Sequence, residues 1–249
     1  MKLAETLRFQ GKVLSVTISR TANKWYASFQ VEIPDKITNS FYKSPVDKNQ
    51  VIGVDLGIKV LATLSNGTKW DGSKATRQYA ARLRRQQKAL SRKQGSKKGE
   101  TKSANYIKQQ RKVARLYQRI RNTRLDNLHK LTTMLASNYS IIGIEDLNVS
   151  GMLKNQKLAK HIADGSFFEL RRQLGYKAKE TGSMVVVADM WYASSRLCHV
   201  CGYKNEELML DDREWMCPQC NNHHDRDVNA AKNLEVYAVH KSQSQTQTV

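Results

Sequence analysis

The chain has 249 residues, of which 42 are Lys or Arg and 22 are Asp or Glu, so its formal net charge at pH 7 is +20. Its hydrophobic share of 40% is typical of a globular protein and excludes a disordered basic tail as the source of the charge. No apolar run reaches the roughly 18 residues of a membrane span, and the N-terminus has no signal-peptide core. We therefore expect a cytoplasmic protein with a polyanionic partner and no membrane partner.

Residues 13–33 have the alternation of a β-hairpin. Leu14, Val16 and Ile18 alternate with polar residues before the turn, and the same pattern continues from Trp25 to Ile33 after it. We expect both strands to bury one face. Residues 34–50 are predicted to form a connecting loop.

A short apolar strand from Val51 ends on an acid, Asp55, and then on a glycine, Gly57. The next strand is expected between residues 59 and 64, and the Asn-Gly turn at residues 66–67 leads into a third strand near Trp70. This places Asp55 on the first strand of an antiparallel meander. Considered alone, an aspartate at a strand end is more often a turn former than a functional residue.

The segment from Lys74 to Lys130 contains 19 Lys or Arg but only two acids, Glu100 and Asp126, so it carries most of the net charge. Helical periodicity on both sides of residues 94–99 predicts a helical hairpin with a basic loop. Exposed helices normally mix Glu with Lys, so the imbalance favours phosphate neutralisation and binding that weakens steeply with salt. The predicted nucleic-acid contacts are Arg82, Arg84, Arg85, Lys88, Arg92, Lys93, Lys97, Lys98, Arg111, Lys112, Arg115 and Arg119.

Tyr79, Tyr106 and Tyr117 are interleaved with these basic residues. They have the chemistry to stack on bases, but core packing is the favoured interpretation for each.

A second apolar strand, 141–144, ends on Glu145. Residues 148–165 are predicted to be a mobile basic loop. A helix follows, opened by a capping box of Ser166 with Glu169 and stopped by Gly182, and then a buried strand over 184–187. The last helix is expected over 227–239, with a frayed tail at 241–249.

Cys198, Cys201, Cys217 and Cys220 are the four cysteines of the chain and form two CxxC pairs. This spacing is typical of a four-thiolate zinc site. Four thiolates leave no open coordination position, so we predict one structural Zn²⁺. His223 and His224 are expected to lie behind the ligands or to be exposed.

Asp55, Glu145 and Asp227 lie on strand, strand and helix, in that order. Two Mg²⁺ ions, or Mn²⁺ in their place, need carboxylate oxygens that converge from separate elements of the fold. The three acids together therefore suggest a two-metal phosphodiesterase, although each acid alone is a weak signal.

The segments GVDLGIKVLATLSNG, IIGIEDLNVSGM and HDRDVNAAKN, with CHVCG and CPQC between the last two, resemble the split RuvC-like nuclease core of the transposon-encoded TnpB family. The resemblance extends from about residue 13 to 234. It implies an α/β, ribonuclease H-like mixed sheet with a basic helical insertion and a zinc ribbon. It also implies RNA-guided, Mg²⁺-dependent DNA cleavage in a prokaryotic cell, with guide RNA and target DNA as partners. Catalysis and magnesium binding are carried over to Asp55, Glu145 and Asp227.

On the same resemblance, Asp225 and Arg226 are local structural or phosphate-facing residues. The segment Ser194–Arg196 either touches the substrate strand or simply leads into the ribbon. Arg196 and Arg226 therefore join the predicted nucleic-acid contacts.

The resemblance also predicts the domains. Residues 1–48 correspond to the last strands of a wedge barrel, 49–197 to the core with its basic insertion at 74–136, 198–220 to the target-binding ribbon, and 221–240 to the final core segment. Because 54 residues precede Asp55, the family's N-terminal recognition lobe is expected to be absent. A homodimer or pairing with a full-length family member is then an open expectation, as is a non-cutting accessory role.

Overall fold

The computed structural model describes residues 3–7, 10–33, 50–94, 102–155, 159–209 and 211–246. The predicted loop at 34–50, apart from Gln50, lies outside the described residues, and so do Lys97, Lys98 and residues 247–249. The chain divides into two compact units. The first contains residues 1–44 and 75–123, and the second contains residues 45–74 and 124–249.

The first unit contains the predicted β-hairpin, formed by β1 (Lys12–Thr21) and β2 (Lys24–Glu32). The turn residues Ala22 and Asn23 both have positive φ, which suits the twist of a two-residue hairpin turn. The expectation that both strands bury one face is wrong, because every residue of β1 is exposed. Val16 and Ile18 keep 46% and 49% of their accessible surface.

The first unit also contains the predicted helical hairpin, α1 (Ala75–Ser91) and the first part of α2 (Ala104–Asn138). The two helices are joined by the buried Gln109, whose Nε2 donates to the Gln86 backbone oxygen and side-chain oxygen. Tyr117 is 50% exposed and bonds to Gln87, so the core-packing interpretation is wrong for this tyrosine. Tyr79 and Tyr106 are half-buried.

The second unit is built on a five-stranded mixed sheet with the order β5-β4-β3-β6-β7. Its strands are β3 (Val51–Leu56), β4 (Ala62–Leu64), β5 (Lys69–Trp70), β6 (Ile141–Ile144) and β7 (Met184–Val187). The first three form the predicted antiparallel meander, whereas β3, β6 and β7 are parallel. The predicted α/β fold class is confirmed.

One face of this sheet carries the main hydrophobic core. Alternate residues of β3 and β6 point to this face, and they pack with the second half of α2 and with α5 (Phe167–Thr181). Gly182 ends α5 in the left-handed conformation, as predicted. The predicted capping box is wrong, because Ser166 itself is left-handed and its hydroxyl donates to Ala163, while Glu169 pairs with Arg172.

The predicted loop at 148–165 contains two short helices instead, α3 (Val149–Leu153) and α4 (Ala159–Gly165). The Asn148 side chain caps α3 by accepting from the backbone N–H of Gly151. The largely buried ion pair of Arg124 with Asp164 fastens α4 to α2. These local bonds were not visible in the composition of the segment.

The chain ends with β8 (Glu214–Met216), β9 (His223–Asp225) and α6 (Arg226–Thr246). α6 packs against the sheet face opposite the main core. Because α6 continues to Thr246, the predicted frayed tail is wrong for residues 241–246. Among the described residues, no helix is both long enough and apolar enough to cross a membrane.

Candidate active site and metal centre

Two glycines allow α6 to lie directly on the sheet. Gly53 and Gly143 are opposite each other in the parallel strands β3 and β6. A Cβ atom on Gly53 would lie 1.8 Å from the backbone oxygen of Ala231, and one on Gly143 would lie 2.4 Å from that of Leu234. Any larger residue at either position would push the helix off the strands.

This contact brings the three predicted acids to one face. Asp55 and Glu145 each follow a glycine by two residues, and side chains two apart on a strand point to the same side. Val54 and Ile144 are register partners, so the two acids come next to each other on neighbouring strands. Asp227 lies in the first turn of α6, one helical turn before the contact at Ala231.

The three carboxyl groups are close enough to interact electrostatically. Burial raises the pKa of Asp55 well above its ordinary value, and the negative charges of Glu145 and Asp227 raise it further. Burial also raises the pKa of Glu145 to about 7. The backbone N–H of Leu56 donates to Glu145 Oε1 at 3.2 Å and opposes that rise, whereas the charge of Asp227 adds to it. A site of this kind favours bound cations.

Asp225 has a different role from Asp227, although both lie in the same short motif. Its Oδ1 accepts from the backbone N–H groups of Asp227 and Val228, each at 3.0 Å, and so caps α6. Its Oδ2 accepts from Lys69 Nζ at 2.6 Å. Burial alone would raise the pKa of Asp225, but these hydrogen bonds lower it overall. The charge of Asp227, by contrast, acts on Asp55 and Glu145.

An arginine that the sequence did not single out reaches this site. Arg213 Nη1 lies 3.5 Å from Asp227 Oδ1. Arg226, which follows Asp225, is half-buried and donates to the backbone oxygen of Met209 at 3.0 Å. Its own N–H donates to the backbone oxygen of Arg213. Arg226 therefore contributes to the local structure and holds Arg213 beside Asp227, while its predicted contact with nucleic acid stays a prediction.

The four predicted metal-ligating cysteines form one cluster, in which all four sulfur atoms lie within 4.8 Å of one another. Two of the sulfur pairs are 3.6 Å apart, close to the roughly 3.8 Å of a zinc tetrahedron. Each CxxC pair is closed by the same turn, with Gly202 and Asn221 at positive φ donating to the carbonyl of the first cysteine. The donor set fits zinc. Among the described residues, the cysteine cluster is the one group whose ligand atoms already lie close enough together to bind a metal ion. The three carboxylates do not form a second group of this kind.

Of the two neighbouring histidines, His224 is buried and His223 is exposed, as the two alternatives allowed. His224 Nε2 lies 3.1 Å from Cys198 Sγ. Its ring packs 4.8 Å from that of Trp215 and 5.0 Å from that of His199. With Nε2 protonated, His224 would stabilise a thiolate of Cys198 that holds a metal ion and would fix its direction.

Two asparagines of α6 connect the helix to the cysteine cluster. Asn233 Nδ2 donates to the backbone oxygens of Ser194 and Leu197, both at 2.7 Å. Asn229 donates to Leu197 at 2.6 Å and accepts from the backbone N–H of His199 at 3.0 Å. The asparagines were not predicted as site residues, but their spacing of four, which puts both on one face of the predicted helix, was a visible signal. Ser194 is thus bonded to α6 ahead of the first cysteine, while Arg196 is exposed. Contact of this segment with the substrate strand stays a prediction.

The predicted basic contacts that the structure describes on α1, on α2 and between them are all exposed. Several of them line two grooves. One groove, of about 320 Å³, is lined by Arg82, Gln86, Lys112, Arg115, Leu116 and Arg119. The other, of about 550 Å³, is lined by Ala104, Ile107, Lys108, Arg111, Lys112 and Arg115. Lys112 and Arg115 border both grooves, so positive charge converges there.

Comparison with known proteins decides the family. A family model described as OrfB_IS605, "Probable transposase", matches residues 28–156, which is more than half of the chain. The chain belongs to the OrfB_IS605 family. A second model, described as Cas12f1-like, TNB domain, matches residues 167–234 of this family member, the part that holds the cysteine cluster. The predicted resemblance to TnpB proteins is confirmed at the level of the family.

The OrfB_IS605 chain is 44% identical over 221 residues to a "Putative RNA-guided DNA endonuclease" of Streptomyces pristinaespiralis, covering 88% of this chain and 52% of that protein. It is 34% identical over 250 residues to the Escherichia coli K12 protein of the same description named InsQ, covering 94% of this chain and 59% of the relative. The chain thus spans about half the length of these relatives.

A structural comparison supports the fold. The cryo-EM structure of a Cas12f1–sgRNA–target DNA complex matches with a TM-score of 0.53 at 14% identity, covering 88% of this chain and 55% of that chain.

Proposed function

We propose that this chain is an RNA-guided, Mg²⁺-dependent DNA endonuclease of the TnpB type, or the catalytic half of one, and that Asp55, Glu145 and Asp227 are its catalytic residues. One observation carries the proposal. Three carboxyl groups from two parallel strands and a helix lie on one side of the sheet and interact there, and burial with the charges of the neighbouring acids raises the pKa of Asp55 and Glu145. A purely structural site has no need of three acids in this arrangement.

In this proposal the three carboxylates hold two Mg²⁺ ions, or Mn²⁺, which supply an activated water and stabilise the leaving 3′-oxygen. The protein supplies the positions of the ligands. The Leu56 N–H orients Glu145, and Asp225 holds the N–H groups that begin α6, so the Asp227 carboxylate remains directed at the site. Arg213 offers a positive charge beside Asp227 that can pair with a substrate phosphate.

The four-cysteine cluster is proposed to hold one structural zinc ion. Its ribbon is fastened to α6 by Asn229, by Asn233 and by Arg226, so zinc acts on the reaction through the position of Asp227. The ribbon is also proposed to contact target nucleic acid. The exposed Arg196 is part of that proposed contact.

The grooves of the helical hairpin are proposed to bind the phosphates of guide RNA and target DNA. The side chains that line the two grooves are all cationic or uncharged, which favours the binding of a polyanion. The same proposal includes the predicted domain limits. It also includes pairing with a second copy or with a full-length family member.

A second candidate function is a non-cutting nucleic-acid-binding protein. It is favoured by one observation, namely that the three carboxylates do not form a ready-made ion cluster among the described residues. In that case the basic grooves and the ribbon would carry the whole function, and the acids would be dispensable.

The test is to purify the chain with the nucleic acid that accompanies it, to sequence that nucleic acid, and to measure Mg²⁺-dependent cleavage of single- and double-stranded DNA. Asp55→Ala and Glu145→Ala should abolish cleavage and leave binding in place. Asp126→Ala, which removes an exposed acid on α2, is the matched control and should cut normally. Cleavage that survives in both active-site variants would refute the nuclease assignment and leave the binding protein as the function.

A further inference from the structure

The turn that follows β7 exposes an unusual amount of apolar surface. Trp191 is 84% exposed, the largest value among the large hydrophobic side chains of the described residues, and its neighbour Met190 is 51% exposed. An indole ring that remains in water is available for contact with another molecule.

The turn lies at the edge of the sheet that carries the proposed catalytic acids. β7 is parallel to β6, with Val187 opposite Ile144, and the Ala188 N–H donates to the Ile144 oxygen at 2.8 Å. Ala188 therefore lies beside Glu145, about 4.8 Å away across neighbouring strands. Trp191 follows three residues later, so its Cα lies within about 11 Å of that of Ala188.

The base of the turn is held in place while the indole ring is bare. The Trp191 N–H donates to Asp189 Oδ1 at 2.8 Å, and the next N–H donates to the Asp189 oxygen at 2.9 Å. Tyr192 then anchors the segment to α6, through its hydroxyl bond to Asn233 and through ring contact with Tyr237 at 4.8 Å. A side chain on an anchored backbone needs less ordering of the chain when it binds a partner.

We propose that Trp191 is a stacking platform for a nucleobase of the DNA strand whose phosphate lies at Asp55, Glu145 and Asp227. This inference rests on the proposed function. Glu145 and this turn follow neighbouring parallel strands, and the ring is the exposed aromatic surface of the turn. Every base has a π face, so the contact tolerates any sequence and adds affinity without adding specificity.

The test measures binding separately from cleavage. Single-stranded DNA of roughly 20 nucleotides, with one abasic site moved along it, is titrated in Ca²⁺ against the wild type, Trp191→Ala and Trp191→Phe. Trp191→Ala should weaken binding about 5- to 150-fold, the range of one base–aromatic stack, and Trp191→Phe should retain most of the affinity. In the wild type, an abasic site at one position should weaken binding. That loss of affinity should disappear in Trp191→Ala, because the missing base has no ring left to stack on.

Met184→Ala is the control, because Met184 is an exposed residue at the opposite end of the same strand. It should bind like the wild type. Equal binding by Trp191→Ala, or equal abasic profiles in wild type and variant, overturns the stacking site even if the chain cuts DNA. Weaker binding without coupling to any abasic position also overturns it, since a base that stacks on Trp191 must be coupled to that ring.

A failure of the proposed function has a different signature. If Asp55→Ala and the wild type do not differ in cleavage but the abasic coupling to Trp191 remains, the nuclease assignment is wrong and the stacking site is supported as a nucleic-acid contact. If the chain binds no DNA, both proposals are refuted.

Discussion

Glu145→Gln should make the metal-free protein more stable at neutral and alkaline pH. Glutamine keeps a side-chain oxygen that can accept from the Leu56 N–H, but it removes the charge that burial and Asp227 disfavour. A carboxyl whose pKa rises from 4.5 to about 7 on folding opposes folding by an amount on the order of 3 kcal/mol once it is fully ionised.

The sign of the pH dependence follows from the direction of this rise. Below pH 4.5, Glu145 is protonated in both the folded and the unfolded chain and has no effect on the free energy of unfolding. Between pH 4.5 and about 7 the unfolded chain ionises first, so the wild type loses stability relative to Glu145→Gln. Above pH 7 the difference is constant.

The assay is urea unfolding at pH 5 and pH 8 in zinc-containing buffer without Mg²⁺. Partial loss of zinc at pH 5 affects both proteins alike and cancels in their difference. Glu180→Gln, which changes an exposed acid in the last turn of α5, should show no pH-dependent difference from the wild type. Addition of Mg²⁺ should stabilise the wild type and not Glu145→Gln. If Glu145→Gln gains no more stability at pH 8 than at pH 5, the raised pKa is not a property of the folded protein.

Two further perturbations test the parts that position the acids. Chelation of zinc should increase amide hydrogen exchange at 198–220 and in the first turn of α6, because Asn229 and Arg226 connect them; unchanged protection of that turn would show that the ribbon does not position Asp227. Gly143→Ala should lower the free energy of unfolding by about 1–3 kcal/mol because its Cβ meets the backbone of α6. The control Gly175→Ala, in a helix with open space, should raise it by about 0.5–1 kcal/mol, and equal effects of the two would argue against the helix–sheet contact.

The sequence was most informative where local pattern and burial agree. The apolar runs that end on Asp55 and Glu145 predicted two strands, and the CxxC spacing predicted the cysteine cluster. Both signals are local, because strand alternation and zinc-knuckle turns are set within a few residues. The metal-binding and catalytic roles of the acids remain predictions.

Features that depend on partners distant in sequence could not be predicted. Arg213 approaches Asp227 only because β8 and β9 pair and Arg226 bonds across the ribbon, and no pattern in the sequence encodes that contact. For the hairpin of β1 and β2, the sequence pattern predicted a buried face that the structure does not show. Its alternation is genuine, but alternation predicts which side chains share a face and not whether another element covers that face.

Because α6 lies in close contact with Gly53 and Gly143, the third acid, Asp227, can change its position only in discrete steps. A helix that slid by one residue would move about 1.5 Å and turn by about 100°, which would replace Asp227 by Arg226 or Val228 at the acid face. With backbone directly against backbone, no intervening side chain can absorb a smaller displacement. Changes elsewhere in the core therefore have little means of adjusting the spacing of the carboxylates gradually, and evolution or design could tune it mainly at the end of the helix that the ribbon holds.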